Sequence, residues 1–123
     1  MYVSVTRTKA SPDQPLELAT IAGEEMLPWL RQIDGFDGLL MLSDEESATT
    51  LAITFWESRE VAERHSAARR EFRDSVTAAV NVKVEETSGY EVTFAHLGPR
   101  LLQLDRERAG HDHARQASRK EGG

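Results

Sequence analysis

The stretch GFDGLLMLSDEESATTLAITFWES, residues 35–58, reads as two strands and the turn that joins them. Phe36 to Leu42 is apolar almost throughout, with Leu39, Leu40, Met41 and Leu42 in succession, the pattern of a strand covered on both faces. Ser43 to Ser47 holds Asp44, Glu45 and Glu46, the composition of a solvated turn. Thr49 to Trp56 then alternates: Leu51, Ile53 and Phe55 point one way, Ala52, Thr54 and Trp56 the other. A hairpin with two apolar faces needs two partners.

Helical patterns flank the hairpin on either side. Upstream, Leu18, Ala22, Met26, Leu30 and Ile33 make one apolar stripe and predict a helix over 15–33, opening at Pro15. Pro28 bends this helix near 24–28, and Gly23 weakens it further. Downstream, Ser58 is placed to cap a second helix with Glu60 in its first turn. Val61, His65, Ala68, Phe72, Val76 and Ala79 predict its sheet-facing side, while Glu60–Arg64 and Arg70–Asp74 are spaced to pair on the solvent side. Beyond the helices lie two further strands, Tyr2 to Thr8 and Val82 to Ala95, the latter with a bulge or bend expected at Gly89. After Pro99, Leu101, Leu102 and Leu104 suit a short docking helix, and the polar residues 106–123 are expected to be mobile.

Strand, helix, strand, strand, helix, strand is the split βαβ order. The expected fold class is therefore α+β and ferredoxin-like (βαββαβ), a four-stranded antiparallel sheet with two helices on one face. The other face, apolar at 39–42 and 51–56, is bare in a single subunit. A twofold partner offering the same face would cover it. We therefore expect a homodimer through the sheet face, a dimeric α/β barrel; a monomer whose tail folds over the sheet is the alternative.

The bulk properties bound the function. The chain has 123 residues, one domain's worth, with 39% hydrophobic and 29% charged residues. The absence of cysteine excludes disulfides, thiolate chemistry and Cys-ligated zinc or iron–sulfur sites. A net charge of −6 without a basic stripe argues against nucleic acid as a partner. No apolar run is long enough to span a membrane, and no signal peptide is visible, so a cytoplasmic location is expected.

Gly35-Phe36-Asp37-Gly38-Leu39, leading through strand and turn to a strand that ends Phe55-Trp56-Glu57-Ser58 and opens a helix, resembles the antibiotic biosynthesis monooxygenase (ABM) family of dimeric α/β-barrel proteins. The resemblance covers residues 1–96 and leaves 97–123 as a C-terminal tail. It implies a ligand held within each subunit, between the helices and the sheet. The family includes cofactor-free oxygenases of polycyclic phenols, haem-degrading enzymes and small proteins of unknown role, and a shared fold does not choose among them. Haem-degrading members use an Asn on the first strand, a Trp on the second helix and a His further along it. Here Tyr2 to Thr8 has no Asn, His65 stands where that Trp would be, and Asp74 falls near the place of the iron-ligating His. Haem is not expected, nor is any other cofactor.

His65, placed on the apolar side of the second helix, is the candidate catalytic residue: an imidazole there could take a phenolic proton near neutral pH. The alternative is a core histidine bonded to a strand side chain such as Thr54. Trp56, Thr54, Met41, Phe72 and Arg69 are the candidate substrate-binding residues. For Trp56 the competing reading is an anchor of the strand-to-helix turn; for Met41 and Phe72, plain core; for Arg69, a solvated surface side chain. No metal is expected. Asp44, Glu45 and Glu46 lack the spacing of a calcium loop, and His111, Asp112 and His113 lack further ligands. No Ser-His-Asp order, phosphate-binding glycine loop or HExxH helix is present.

These observations favour a cofactor-independent monooxygenase acting on a planar phenolic or polycyclic small molecule, with His65 as base. The alternative is a non-catalytic dimeric protein of the same fold that binds a small molecule or serves as an accessory subunit. Isomerase or cyclase chemistry with the same base is a weaker third option.

Overall fold

The computed structural model describes residues 1–11, 17–79 and 82–105. Its elements are β1 (Tyr2–Ala10), α1 (Glu17–Leu30), β2 (Phe36–Asp44), β3 (Thr49–Trp56), α2 (Arg59–Arg64), α3 (Ser66–Ala79) and β4 (Val82–Glu91). The strands form one sheet in the order β2-β3-β1-β4, every neighbouring pair antiparallel. This is the ferredoxin-like α+β sheet that the order of patterns predicts.

Register assigns the faces, because directly opposed residues share one side of a sheet. Ser4 stands opposite Thr54 and Gly89, Thr6 opposite Ala52 and Thr87, and Thr8 opposite Thr50 and Val84. β2 brings Leu39 and Met41 to the same side, opposite Thr54 and Ala52. The helices pack here. Leu30 of α1, Trp56 of β3 and Ala62 of α2 form a core cluster at 0–1% exposure, with Met26, Trp29, Phe36 and Val61 against it. Two ring contacts brace it: Trp29 stacks on Phe72 at 5.0 Å, and Phe36 meets Trp56 edge-on at 5.4 Å.

α1 accommodates Pro28 and then tightens, with N–H donations from Gln32 to the Trp29 carbonyl and from Ile33 to the Leu30 carbonyl. Gly35 ends this segment at φ +94°, where an added Cβ would lie 2.6 Å from Val61 Cγ1. Both the backbone and the space therefore demand glycine. Its carbonyl accepts from the Glu57 N–H at 2.8 Å, which ties the exit of α1 to the end of β3. Ser58 then caps α2 as predicted, its Oγ accepting from the Val61 N–H at 3.2 Å.

Several sequence expectations are corrected. The single second helix is two, since the backbone leaves helical geometry at His65 (φ −106°, ψ 9°) and α3 restarts at Ser66. The break changes which side faces the sheet: Ala68 is exposed and Thr77 is buried. Among the described residues the ion pairs are Arg59–Glu63 at 2.7 Å and Arg73–Asp74 at 3.1 Å, in place of the expected Glu60–Arg64 and Arg70–Asp74. Gly89 is not a bulge. It sits in register opposite Ser4, and the Tyr2 phenol fills the space its side chain would need. The register shifts lie instead between Arg7 and Thr8 and between Phe36 and Gly38. β4 stops at Glu91, short of Ala95, and Leu42 is exposed where a doubly covered strand was expected.

The chain divides into two compact units, Met1–Val92 and one that begins at Thr93. In the second, residues 99–105 are helical, opened by donations from the Leu101 and Leu102 N–H groups to the Gly98 carbonyl. Leu101, Leu102 and Leu104 are exposed. The expected helix start at Pro15, the mobility of 106–123 and the His111–His113 cluster lie outside the described residues. Among the described residues, no helix is long and apolar enough to cross a membrane.

Candidate functional site

Between the sheet and the two long helices lies a cavity of about 110 Å³. Its walls differ in chemistry. α1 contributes Ala22, Met26 and Leu30, and β2 and β3 add Leu39, Met41 and Ala52, which make an apolar half. Gly23 allows this half to close: a Cβ on it would stand 2.8 Å from the Met41 sulfur. Along the sheet floor, alternation on β1 lines up Ser4, Thr6 and Thr8, and Thr54 and Thr87 join them from the neighbouring strands. The remaining wall is α3, which presents Ser66, Arg69, Arg73 and Thr77, spaced three or four residues apart and so on one side of the helix, with Arg70 beside them. Three cations thus line the cavity, and no carboxylate does among the described residues.

Arg69 is the most constrained of the three. Its guanidinium lies over the Trp56 indole, 4.5 Å from the ring centroid, in a cation–π contact. Nη2 donates to the Ala62 carbonyl at 2.8 Å, while the buried Nε has no acceptor among the described residues. Burial, and secondarily the charge of Arg73, push the guanidinium below its ordinary pKa. Arg73 is held differently: Nη1 donates to Thr87 Oγ1 at 2.9 Å, and Nε and Nη2 share Asp74 Oδ1 at 3.2 and 3.1 Å. Trp56 Nε1 donates to Thr54 Oγ1 at 2.8 Å, which fixes the indole that Arg69 lies on.

Of the residues singled out from sequence, Thr54, Met41 and Arg69 line the cavity. Trp56 is fully buried behind it, and Phe72 is half-buried against Trp29. His65 is half-buried at the junction of α2 and α3 and is not part of the cavity lining. Its predicted place on a continuous helix is corrected by the break at that residue. Arg69, expected at the surface on one reading, is instead packed against Trp56. Arg70, Arg73, Ser66 and Thr77 were not anticipated; their signal in the sequence is the polar periodicity at 66, 69, 70, 73 and 77. No group of three or more His, Cys, Asp or Glu residues able to hold a metal occurs among the described residues.

No protein-family model and no curated protein matches the chain. Solved structures do. A provisionally named antibiotic biosynthesis monooxygenase from Deinococcus radiodurans is 21% identical, with a TM-score of 0.59 over 78% of this chain and 96% of that one. One of the same provisional name from Nitrosomonas europaea is 16% identical, with a TM-score of 0.57 over 76% of this chain and 100% of that one. SnoaB, a cofactor-independent oxygenase from Streptomyces nogalater, is 12% identical, with a TM-score of 0.60 over 76% of this chain and 94% of that one. The ferredoxin-like fold common to these structures is the fold of this chain.

Proposed function

We propose that this chain is a cofactor-independent monooxygenase of the antibiotic biosynthesis monooxygenase type, and that it oxidises a planar phenolic or polycyclic small molecule held under α1 and α3. The observation that carries the reading is the cavity: one apolar half, one hydroxyl-lined floor, in a fold shared with an oxygenase that needs no cofactor. Its volume approaches that of an engineered cavity of about 150 Å³ that takes up benzene. One ring of a substrate fits inside, and further rings extend through the open side. Thr54, Met41 and Arg69 contact the bound substrate.

In the proposed reaction the phenol gives its proton to solvent and reacts as its anion, which gives an electron to dioxygen; a solvent proton later completes the peroxide. Oxygen adds at the carbon para to the hydroxyl, and the resulting peroxide loses water to leave a quinone. One oxygen atom ends in the new carbonyl and the other in water, and the substrate supplies both electrons and both hydrogens. The protein contributes orientation, stabilisation of the anion and exclusion of bulk water. A second copy of the chain covering the outer sheet face belongs to the same reading.

Oxygen-electrode measurements with a panel of polycyclic phenols test it. The expected result is enzyme-dependent uptake of one O2 per quinone formed, reduced at least about tenfold by Thr54→Val combined with Met41→Trp, which fills the cavity. No uptake above the buffer rate with any member of the panel rejects it. One observation favours the second reading, a non-catalytic binding or accessory protein: the expected base, His65, is not in the cavity lining.

A further inference from the structure

The α3 wall carries a feature that a site for neutral aromatics does not need. Among the described residues Arg69 is a half-buried cation with no carboxylate partner, held by a carbonyl and an indole face, with one buried N–H unsatisfied. A desolvated cation without a counter-charge is costly, and it persists where something else supplies the charge. Arg73, one turn further on, gives one nitrogen to Thr87 and leans on a single carboxylate, Asp74, that is itself more than half exposed. Arg70 lines the same cavity and forms no ion pair among the described residues. The opposite wall is apolar.

From this asymmetry we infer that the cavity is a receptor for an oxyanion borne on a flat apolar body, with Arg69 and Arg73 reading the oxyanion while Met26, Leu30 and Met41 take the ring. The inference deepens the proposed function, on which the identity of the ligand as substrate rests, by making negative charge a condition of entry. Guanidinium groups suit the task, since they stay charged and offer several donors in a plane. The oxyanion could be a carboxylate or a phosphate, and the two are separable by experiment.

Three probes of one shape serve: 2-naphthoate, 2-naphthyl phosphate and the neutral 2-naphthamide, titrated calorimetrically into the full chain at low salt. The expected result is binding of at least one anion about tenfold or more tighter than the amide, with the preferred anion naming the group. Arg73→Gln should cut that preference about fivefold or more, weakening the anion more than the amide; Arg69→Gln should abolish it. Since Arg69 is packed into the wall, the Arg69 variant is read only with its far-UV circular dichroism matching the parent, and Arg73→Gln carries the test otherwise. Equal affinity for the amide and both anions, or an anion preference untouched by Arg73→Gln, overturns the receptor. The oxygenase reading fails separately: charge-selective binding without oxygen uptake leaves the receptor standing alone, and uptake with neutral phenols and no charge preference leaves the oxygenase without it.

Discussion

Trp56 joins three parts of the molecule through a single side chain. Its ring is fully buried, Phe36 meets its edge, its N–H donates to Thr54, and Arg69 lies over its face. Trp56→Phe keeps most of the apolar burial but removes the indole N–H and a small part of the volume. It also leaves Arg69 on a ring that attracts cations less strongly. The expected loss is about 1–2 kcal/mol in urea unfolding, from one buried hydrogen bond and a small void. A variant as stable as the parent would show that the N–H to Thr54 contact is stabilising nothing. The sequence offered two readings of this residue, a strand anchor and a ring beside the pocket. Alternation alone set it on the same side of β3 as Ala52 and Thr54, which was legible. Its burial behind Arg69 was not, because that depends on a partner thirteen residues away on another element.

At the scale of elements, the segment from Ser58 to Ala79 explains most of what could and could not be foreseen. The Ser58 cap is local chemistry, an oxygen two or three residues from the N–H it serves, and it is readable from the chain. The break at His65 has no glycine or proline to announce it. Val61, His65, Ala68 and Phe72 continue the period across it, and the cue is subtler: the Ser66 hydroxyl donates to the Glu63 carbonyl at 2.9 Å, competing with the helix ladder. With the break goes the phase: of the candidates His65, Phe72 and Arg69 on this segment, only Arg69 lines the cavity, and Ser66, Arg70, Arg73 and Thr77 complete that wall. α2 has six residues, too few to be stable as an isolated helix, so its cap and its packing hold it. Ser58→Ala should cost about 1 kcal/mol in chemical unfolding. Because the Ala62 carbonyl that fixes Arg69 sits in this short helix, the same change should weaken 2-naphthoate binding, although residue 58 is remote from the ligand. A loss of stability with binding unaltered would separate Arg69 from α2 and undo that link.

At the scale of the whole molecule, the sheet faces two environments that differ in kind. On the helix side the strands contribute mainly small and hydroxylated residues, Ser4, Thr6, Thr8, Thr50, Ala52 and Thr54, which leave room for a cavity. On the outer side the register sets Val3 against Phe55 and Tyr90, and Ile53 between Val5 and Leu40. None of these outer residues is fully buried, and Tyr90 is 57% exposed. An apolar surface of this continuity is a liability for an isolated subunit. Charges mark its borders: Arg7 opposes Glu86, and Lys9 opposes Lys83. A twofold copy of the same face satisfies the apolar centre, so the chain is expected to run as a dimer in light scattering at low micromolar concentration. Ile53→Lys tests this at the middle of the patch. A lysine there points away from the cavity, meets no acidic partner in the register, and would be desolvated by any subunit that docks. The variant should therefore scatter as a monomer while keeping its secondary structure. Since Ile53 is not part of the cavity lining, the variant should still bind 2-naphthoate, if less tightly in a looser sheet. A parent chain that is already monomeric rejects the dimer, and a monomeric variant that keeps its ligand shows that the pocket belongs to the subunit and not to the assembly.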